Sequence, residues 1–385
     1  MTTTVWELIS SGGSCSRARH ALVVAALALG GSTAAAQSNT ASAGAGVLFQ
    51  QYTFATPADI DLEKVSLLTI PISASVALTP KLELGVNGAF ATATRVRGGG
   101  QSTSISGPVD TDIHLSYRMA NDRIRLTAVA VVPTGKSKLT ADEMEVAGLI
   151  ASDLLPFAIS NWGEGGGVGL NAAVTVPVAD ATTLGLSAGY LVGHSYEPLN
   201  ANTFAYRPGN ELQARASIER MIGVTAKASV HLAYLHYAQD QTAGTNFYQA
   251  GDRLQALGSV AYAAGGDATG ITYVGYLQRK LGTFTNVIDF TPAQSFVYAG
   301  TGIRQPFRRL TVVPSVDVRY LTSDQGVGQG TNVSLGVSAE MPVGELQVVP
   351  QLRGRFGNLM IRTGQESRFK GLEIGLGIRR QGAVR

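Results

Sequence analysis

Four histidines after residue 36 are the side chains best suited to acid–base chemistry near neutral pH, and their spacing limits what they can do. Only His231 and His236 are close in sequence, and a separation of five places them on opposite faces of a β-strand. A serine hydrolase needs a Ser, a His and an acidic or amide partner that converge on one face. The sequence has no HExxH or P-loop motif, and its GxSxG string, residues 185–189, lies within an alternating run typical of a strand and not in the strand-to-helix context of a nucleophile elbow. We therefore expect no catalytic residues, no metal ligands and no cofactor.

Charged side chains form a second set, and they alternate with apolar ones. Between Val109 and Arg118 the odd positions are mostly apolar, whereas the even positions include Asp110, Asp112 and His114. Alternation of this kind puts the polar set on one face of a strand. Twelve such positions are our candidates for the wall of a polar lumen that sets selectivity: Asp110, Asp112, His114, Arg123, Arg125, Glu211, Arg215, Asp317, Arg319, Glu340, Arg353 and Arg355.

Both signs of charge occur in this candidate set in similar numbers. A mixed wall indicates internal ion pairs, a weakly selective channel, or a lumen that is partly closed by its own contacts. Simple hydration and bracing of the interior is the plainer interpretation of the same residues.

The elements that carry these residues are β-strands, and the composition indicates which kind. The chain has 385 residues, of which 45% are hydrophobic and only 15% charged, with 46 Gly and a mean hydropathy of +0.13. Soluble domains carry about 25% charged residues. No apolar run after the N-terminal region approaches the roughly 20 residues of a spanning helix. Apolar residues that occur singly, between polar or small ones, are typical of a transmembrane β-barrel. The net charge of +3 is too small to indicate that the protein binds nucleic acid.

Strand length and loop asymmetry separate this interpretation from a soluble β-sandwich. Many alternating runs exceed the usual strand length of about 5–6 residues. Short turns also alternate with longer polar loops, as they do in outer-membrane barrels. We predict an all-β, antiparallel, up-and-down barrel of sixteen strands, with fourteen as the alternative. Aromatic residues near strand ends, Tyr117 and Tyr320 among them, fit interfacial girdles.

The N-terminus has the order of a signal peptide. Basic residues precede the apolar run 21–29, and Ala34–Ala36 resembles an A-x-A cleavage site. We predict a signal peptide over residues 1–36 and the barrel over 37–385. The apolar run is too short for a membrane anchor. Cleavage would also remove Cys15, the only cysteine, which suits passage through an oxidising periplasm.

The connection from Pro133 to Gly166 differs from the other loops because it is apolar. Thr140 and Glu143 form a capping box that starts a short helix, which we expect to end before Pro156. An apolar helix in an outer loop needs a partner, so it covers the mouth as a simple cap, folds into the lumen as a gate, or binds an apolar ligand. The candidate residues of this gate are Leu149, Ile150, Leu154, Leu155, Phe157 and Trp162.

Several short motifs resemble one known family. Asp110-Thr111-Asp112, Ser116-Tyr117-Arg118, Pro133-Thr134-Gly135-Lys136 and Leu155-Pro156-Phe157 look like the MetA-pathway phenol-degradation family of outer-membrane proteins, which is itself similar to long-chain fatty-acid transporters. The resemblance covers roughly residues 108–195. It implies passive uptake of small hydrophobic or aromatic compounds. Those transporters have fourteen strands and an N-terminal plug, whereas only residues 37–43 precede the first strand here, so residues 136–162 take any plug role.

Together these features predict an outer-membrane channel in a Gram-negative-type bacterium. Its expected partners are outer-membrane lipid, the barrel assembly machinery and a small-molecule solute, without nucleic acid. The alternative is a structural or interaction barrel with a closed lumen and partner-binding outer loops. The sequence leaves the oligomeric state and the solute open.

Overall fold

The structure is a computed structural model, and it describes residues 40–56, 60–200, 204–285, 290–362 and 364–383. The predicted signal peptide and Cys15 lie outside these residues. No helix in the described part of the chain is long and apolar enough to cross a membrane.

The described chain consists of β-strands and one α-helix, α1 (Ala141–Ile150). The strands are β1 (Thr40–Phe54), β2 (Lys64–Thr79), β3 (Leu82–Val96), β4 (Ser102–Pro108), β5 (Thr111–Met119), β6 (Ile124–Val132), β7 (Gly167–Ala179), β8 (Thr182–Gly193), β9 (Tyr206–Arg207), β10 (Glu211–Ile222), β11 (Ala226–Tyr237), β12 (Asp240–Thr242), β13 (Thr245–Gln249), β14 (Arg253–Gly265), β15 (Ala268–Arg279), β16 (Gly282–Phe284), β17 (Phe290–Thr291), β18 (Gln294–Phe307), β19 (Leu310–Ser323), β20 (Gly330–Val343), β21 (Leu346–Arg362) and β22 (Gln365–Ala383).

Antiparallel pairing between successive strands closes a barrel. The last strand, β22, pairs with the whole length of β1, from Thr40↔Ala383 to Phe54↔Phe369. β4 and β5 both pair with β3 and form one interrupted barrel strand. With that pair counted once, the barrel has sixteen strands, which confirms the predicted fold and the larger of the two predicted strand numbers. β9, β12, β13, β16 and β17 form a separate small sheet.

The side chains of the barrel strands alternate between two environments because successive residues of a strand point to opposite faces. In β22, Leu372, Ile374, Leu376 and Ile378 are between 42% and 49% exposed on the outside, whereas Glu373 between them is buried inside. Exposed leucines, isoleucines, valines and aromatics recur on nearly every barrel strand. An apolar band of this kind faces lipid in transmembrane barrels.

The two ends of the barrel differ in the length of their connections. At one end, which we call the short-turn end, every connection has two to four residues. The opposite, long-loop end carries the connection 133–166 and the small sheet. Tyr117 and Tyr320, which fit interfacial girdles, are exposed on the outer face, whereas Tyr237, which is also near a strand end, is fully buried on the inner face.

The predicted helix starts where expected and ends earlier. The Thr140 hydroxyl accepts from the Glu143 amide, and the Glu143 carboxylate accepts from the Thr140 amide, so the capping box is complete. The helix ends at Ile150, before the expected position near Pro156. The Leu155 amide donates to the Ser152 hydroxyl instead of continuing the helix. Leu155 also precedes Pro156, and helical backbone angles are unfavourable for a residue before proline.

Candidate gate and solute path

The segment after α1 folds into the lumen, and we call residues 151–162 the plug. Leu154, Leu155, Phe157 and Trp162 are each at most 4% exposed. They pack in one apolar cluster with inward side chains from both edges of the β1–β22 junction and from β2, β3, β15, β18, β19 and β21. The sequence left open whether this apolar segment covers the mouth, folds into the lumen or binds an apolar ligand. In the structure it lies inside the lumen.

Helix α1 fixes the N-terminal side of the plug to the barrel wall. Val146 and Ile150 are buried against the cluster, and α1 contacts β3 and β4. On the same side, the Glu145 carboxylate pairs with Arg95 and, at 2.8 Å, with Arg97. Leu149 is only partly buried and packs at the edge of the cluster.

Polar side chains of the wall satisfy the backbone of the plug. A loop inside a protein carries backbone N–H and C=O groups that need partners. The Gln50 amide donates to the Pro156 carbonyl at 2.9 Å and accepts from the Ala158 amide at 2.7 Å. Asn332 donates to the Leu154 carbonyl at 2.9 Å. These contacts hold the plug from two separate strands, β1 and β20.

The two chain segments that enter and leave the plug region meet at Asp110. One carboxylate oxygen of Asp110 accepts from the Gly135 amide at 2.9 Å, and the other accepts from the Glu164 amide at 2.8 Å. The Asp110 amide donates to the Trp162 carbonyl, not to a neighbouring strand, which explains the interruption between β4 and β5. A Cβ at Gly135 would lie 2.0 Å from the Trp162 carbonyl oxygen, so this close approach needs glycine.

Trp162 closes the plug region against β3. Its side chain is 1% exposed, and its indole N–H donates to the Ala91 carbonyl at 3.1 Å. Phe157 meets the Tyr52 ring edge-on, with ring centroids 5.1 Å apart.

Five of the predicted lumen residues belong to ion-pair groups on the inner wall. Arg355 pairs with the buried Glu373 at 2.7 Å, and Gln50 also donates to Glu373. Asp317 lies 3.5 Å from Arg319 and 3.6 Å from Arg353. Glu340 pairs with Arg304 near the short-turn end. The internal ion pairs expected of a mixed wall are therefore present at these positions.

The other predicted lumen residues are spread along the wall. His114 lies over Gly85, where a Cβ would come within 2.1 Å of its ring. The Arg215 guanidinium donates to Gln213 at 3.0 Å. Arg123 and Arg125 are exposed at the short-turn end, and Asp112 and Glu211 lie elsewhere on β5 and β10. The structure thus brings the plug, Asp110 and Arg355 into one site, and leaves Arg123 and Arg125 outside it.

The residue pattern did not indicate Gln50 and Asn332, which contact the plug. It also did not indicate Arg279, which Asp153 of the plug attracts electrostatically, or Arg253, which lies opposite Arg279. Inner side chains at the long-loop end include Leu277 and Phe296, which are apolar. The contrast between a polar and an apolar face therefore disappears where these four residues lie. Only their position near strand ends could have indicated them. Arg253 and Arg279 are terminal residues of their strands, Asn332 is two residues from the start of β20, and Gln50 is four residues from the end of β1.

Glu143 links the first turn of α1 to the segment that enters it. Burial raises the pKa of the Glu143 carboxyl, but hydrogen bonds from Lys136 and from the Thr140 backbone outweigh burial, and the net pKa lies below its usual value. A lowered pKa in the folded protein means that ionised Glu143 stabilises this turn. That contribution is present above the ordinary carboxyl pKa of about 4.3. It is lost as the pH falls through the lower value of the folded protein.

We expect acidification to loosen the first turn of α1. Hydrogen-exchange protection of amides 141–146 should fall as the pH is lowered below about 4, and Glu143→Gln should weaken that pH dependence. Asp142→Asn is the matched control because Asp142 is exposed in the same turn. An identical pH profile in wild type and Glu143→Gln would contradict this role.

The comparisons with known proteins give general similarity only. No protein-family model and no curated protein matches the chain. A bacterial polysaccharide outer membrane secretin has 12% identity and a TM-score of 0.45, and the match covers 89% of this chain and 98% of the other. OmpT of Vibrio cholerae, with its loop L8 deleted, has 9% identity and a TM-score of 0.42, with 90% and 100% covered. An anion-selective porin from Comamonas acidovorans has 11% identity and a TM-score of 0.39, with 90% and 99% covered.

These values assign the chain to no family, and the barrel is established by its own strand pairing. The resemblance to the MetA-pathway family therefore stays a prediction.

Proposed function

We propose that this protein is an outer-membrane channel for passive uptake of small hydrophobic or aromatic solutes, and that the plug gates it. The observation that carries the proposal is a segment folded inside a sixteen-stranded barrel, a size that otherwise leaves an aqueous channel. Its backbone is held by a few wall side chains, Gln50 and Asn332 among them. A gate needs such a bistable element, because discrete contacts can be broken together.

The outward apolar band supports placement of the barrel in a bilayer. We propose the outer membrane of a Gram-negative-type bacterium, with the short-turn end in the periplasm, since outer-membrane barrels keep their short turns there. The predicted signal peptide fits the same route.

The lining of the long-loop end supports the proposed solute class. The inner wall there presents Leu277, Phe296, Leu321 and Phe369, all less than 10% exposed. Apolar and aromatic walls with few polar groups are typical of sites for small apolar ligands. A solute that displaces the plug would therefore meet apolar surface first and the ion pairs of Arg353 and Arg355 deeper in the barrel.

The first test is single-channel conductance of the refolded chain, residues 37–385, in a planar bilayer, after folding is checked by heat-modifiable gel mobility. We expect a folded barrel that is nearly silent, because the plug fills the lumen. Steady ohmic steps from the full chain would contradict the gate and favour a general porin. The alternative, a closed structural barrel, also predicts silence, and removal of the plug separates the two because only a gated channel would then conduct.

The solute class has its own test in a plug-deleted variant. We expect a neutral aromatic alcohol, benzyl alcohol, to reduce the ionic current more than xylitol, a polyol of similar size, because only the aromatic ring gains from contact with the apolar wall. Equal reduction by both compounds would contradict a preference for aromatic solutes.

A further inference from the structure

One buried arginine of the inner wall has no acidic ion-pair partner among the described residues. Arg279 is the last residue of β15 and is only 7% exposed. Within the described part of the chain no carboxylate lies within 4.0 Å of it, and its Nε has no hydrogen-bond acceptor. Arg319, Arg353 and Arg355 each have a carboxylate partner. A buried charge is costly unless it is paired.

A second arginine strengthens the positive charge at the same point. Arg253 lies directly opposite Arg279 in the strand pairing and is 5% exposed. Its guanidinium stands over the Tyr237 ring, 6.0 Å from the centroid. Like charges directly opposite each other repel, so Arg253 adds to the positive charge at Arg279.

The surface next to Arg279 is apolar and aromatic. Leu277 precedes it by two residues on the same inner face and lies opposite Phe296. The Phe296 and Tyr298 rings lie with their centroids 5.4 Å apart and their planes tilted by 30°. Leu277 and Phe296 also belong to the cluster that contains Leu154 of the plug. An anion bound here would therefore have an apolar neighbour within the length of one ring.

The plug brings one carboxylate towards this arginine. Asp153 is the acidic residue that attracts Arg279 electrostatically, but the two side chains form no ion pair within 4.0 Å. An external anion at Arg279 would compete with Asp153 for the same guanidinium.

We propose that Arg279 is the anchor of a binding site for aromatic monocarboxylates at the long-loop end of the lumen. The guanidinium receives the carboxylate, for which its planar donors are suited, and the ring of the solute lies against Leu277 and Phe296. A single charge with an apolar body fits this surface better than a phosphate, which has no apolar part. The role of this site rests on the proposed function, since such a solute would enter through this channel. The binding itself can be measured without transport.

The experiment measures equilibrium binding by titration calorimetry with the folded, detergent-solubilised chain, residues 37–385. Benzoate is the probe and benzamide its neutral counterpart of nearly equal shape. We expect saturable binding of benzoate at one site and much weaker binding of benzamide. Arg279→Gln should weaken benzoate binding about tenfold or more, the value of a charge-assisted hydrogen-bonded contact. Arg304→Gln, on the inner wall near the short-turn end, is the matched control and should bind benzoate as wild type does.

A second variant guards against a folding defect. Asp153→Asn removes the competing carboxylate and should raise the affinity for benzoate, about twofold or more, which a damaged barrel would not do. Heat-modifiable mobility must be unchanged in each variant.

Equal affinity for benzoate and benzamide, unchanged affinity in Arg279→Gln, or lowered affinity in Asp153→Asn would each overturn the proposal. Absence of benzoate binding would overturn it too, and the conductance of the plug-deleted barrel would still decide the proposed function separately.

Discussion

Removal of α1 and most of the plug should turn a nearly silent barrel into an open channel. In this variant a flexible Gly–Ser linker replaces residues 141–161, and Trp162, Asp110 and Gly135 keep the base of the loop closed. We expect ohmic steps with a current about tenfold or more above that of the full chain, because barrels of sixteen strands leave an aqueous channel when nothing fills them.

The wall beneath the plug supports the size of this effect. Several inward positions in the half of the barrel nearer the short-turn end carry small side chains or none, beside larger ones such as His114 and Arg353, and they widen the path there: Gly185, Ser217, Ser229 and Ser259. The ion pairs of Asp317 and Glu340 would remain and give the open channel weak ion selectivity.

The control for this deletion replaces residues 242–245, at the hairpin tip of the small sheet, with the same kind of linker. That hairpin joins β12 and β13 outside the barrel, so the control should stay as silent as the full chain. A folded plug-deleted barrel that remains silent would contradict the gate. It would favour the structural barrel with partner-binding loops.

Gln50→Leu should have the second largest effect, because one side chain holds two backbone groups of the plug and a buried carboxylate. The substitution leaves the Pro156 carbonyl, the Ala158 amide and one contact of Glu373 without their partner. Each buried group left unsatisfied costs about 1–3 kcal/mol. The seated plug should lose enough stability for its open population to rise about ten- to a hundredfold, which single-channel recording shows as more frequent openings.

Gln51→Leu is the matched control for this variant. Gln51 is the next residue of β1 and points to the opposite face of the strand. The same chemical change there leaves the plug contacts intact, so its opening frequency should equal that of wild type. Equal opening frequencies for Gln50→Leu and wild type would show that the amide contacts do not hold the plug.

The fold could be predicted from the sequence because a transmembrane barrel repeats one physical rule along the chain. Residues such as Leu372, Glu373 and Ile374 show the rule directly: apolar outside and polar or small inside. Turn residues such as Ala179–Ala181 then separate the strands. Pairing of each strand with the next in an antiparallel barrel follows without further information.

The site could be predicted only in part, because the plug breaks that rule. The apolar loop and its capping box were visible at Thr140 and Glu143, and they indicated a helix in need of a partner. The contacts of that loop depend on Gln50 and Asn332, which are distant in sequence and unremarkable as single residues. Asp110, predicted as a lumen residue, lies at the base of the plug, where it binds the amides of Gly135 and Glu164. These residues are distant in sequence and meet only in the folded loop.

The position of Trp162 gives the protein a built-in optical reporter. After removal of residues 1–36 it is the only tryptophan in the chain, and it is buried where the plug meets β3. Its fluorescence should be blue-shifted and protected from iodide quenching while the segment is seated. Movement of the segment into water would shift the emission to the red and admit the quencher. The rate of opening can therefore be followed by stopped-flow spectroscopy on the unlabelled protein.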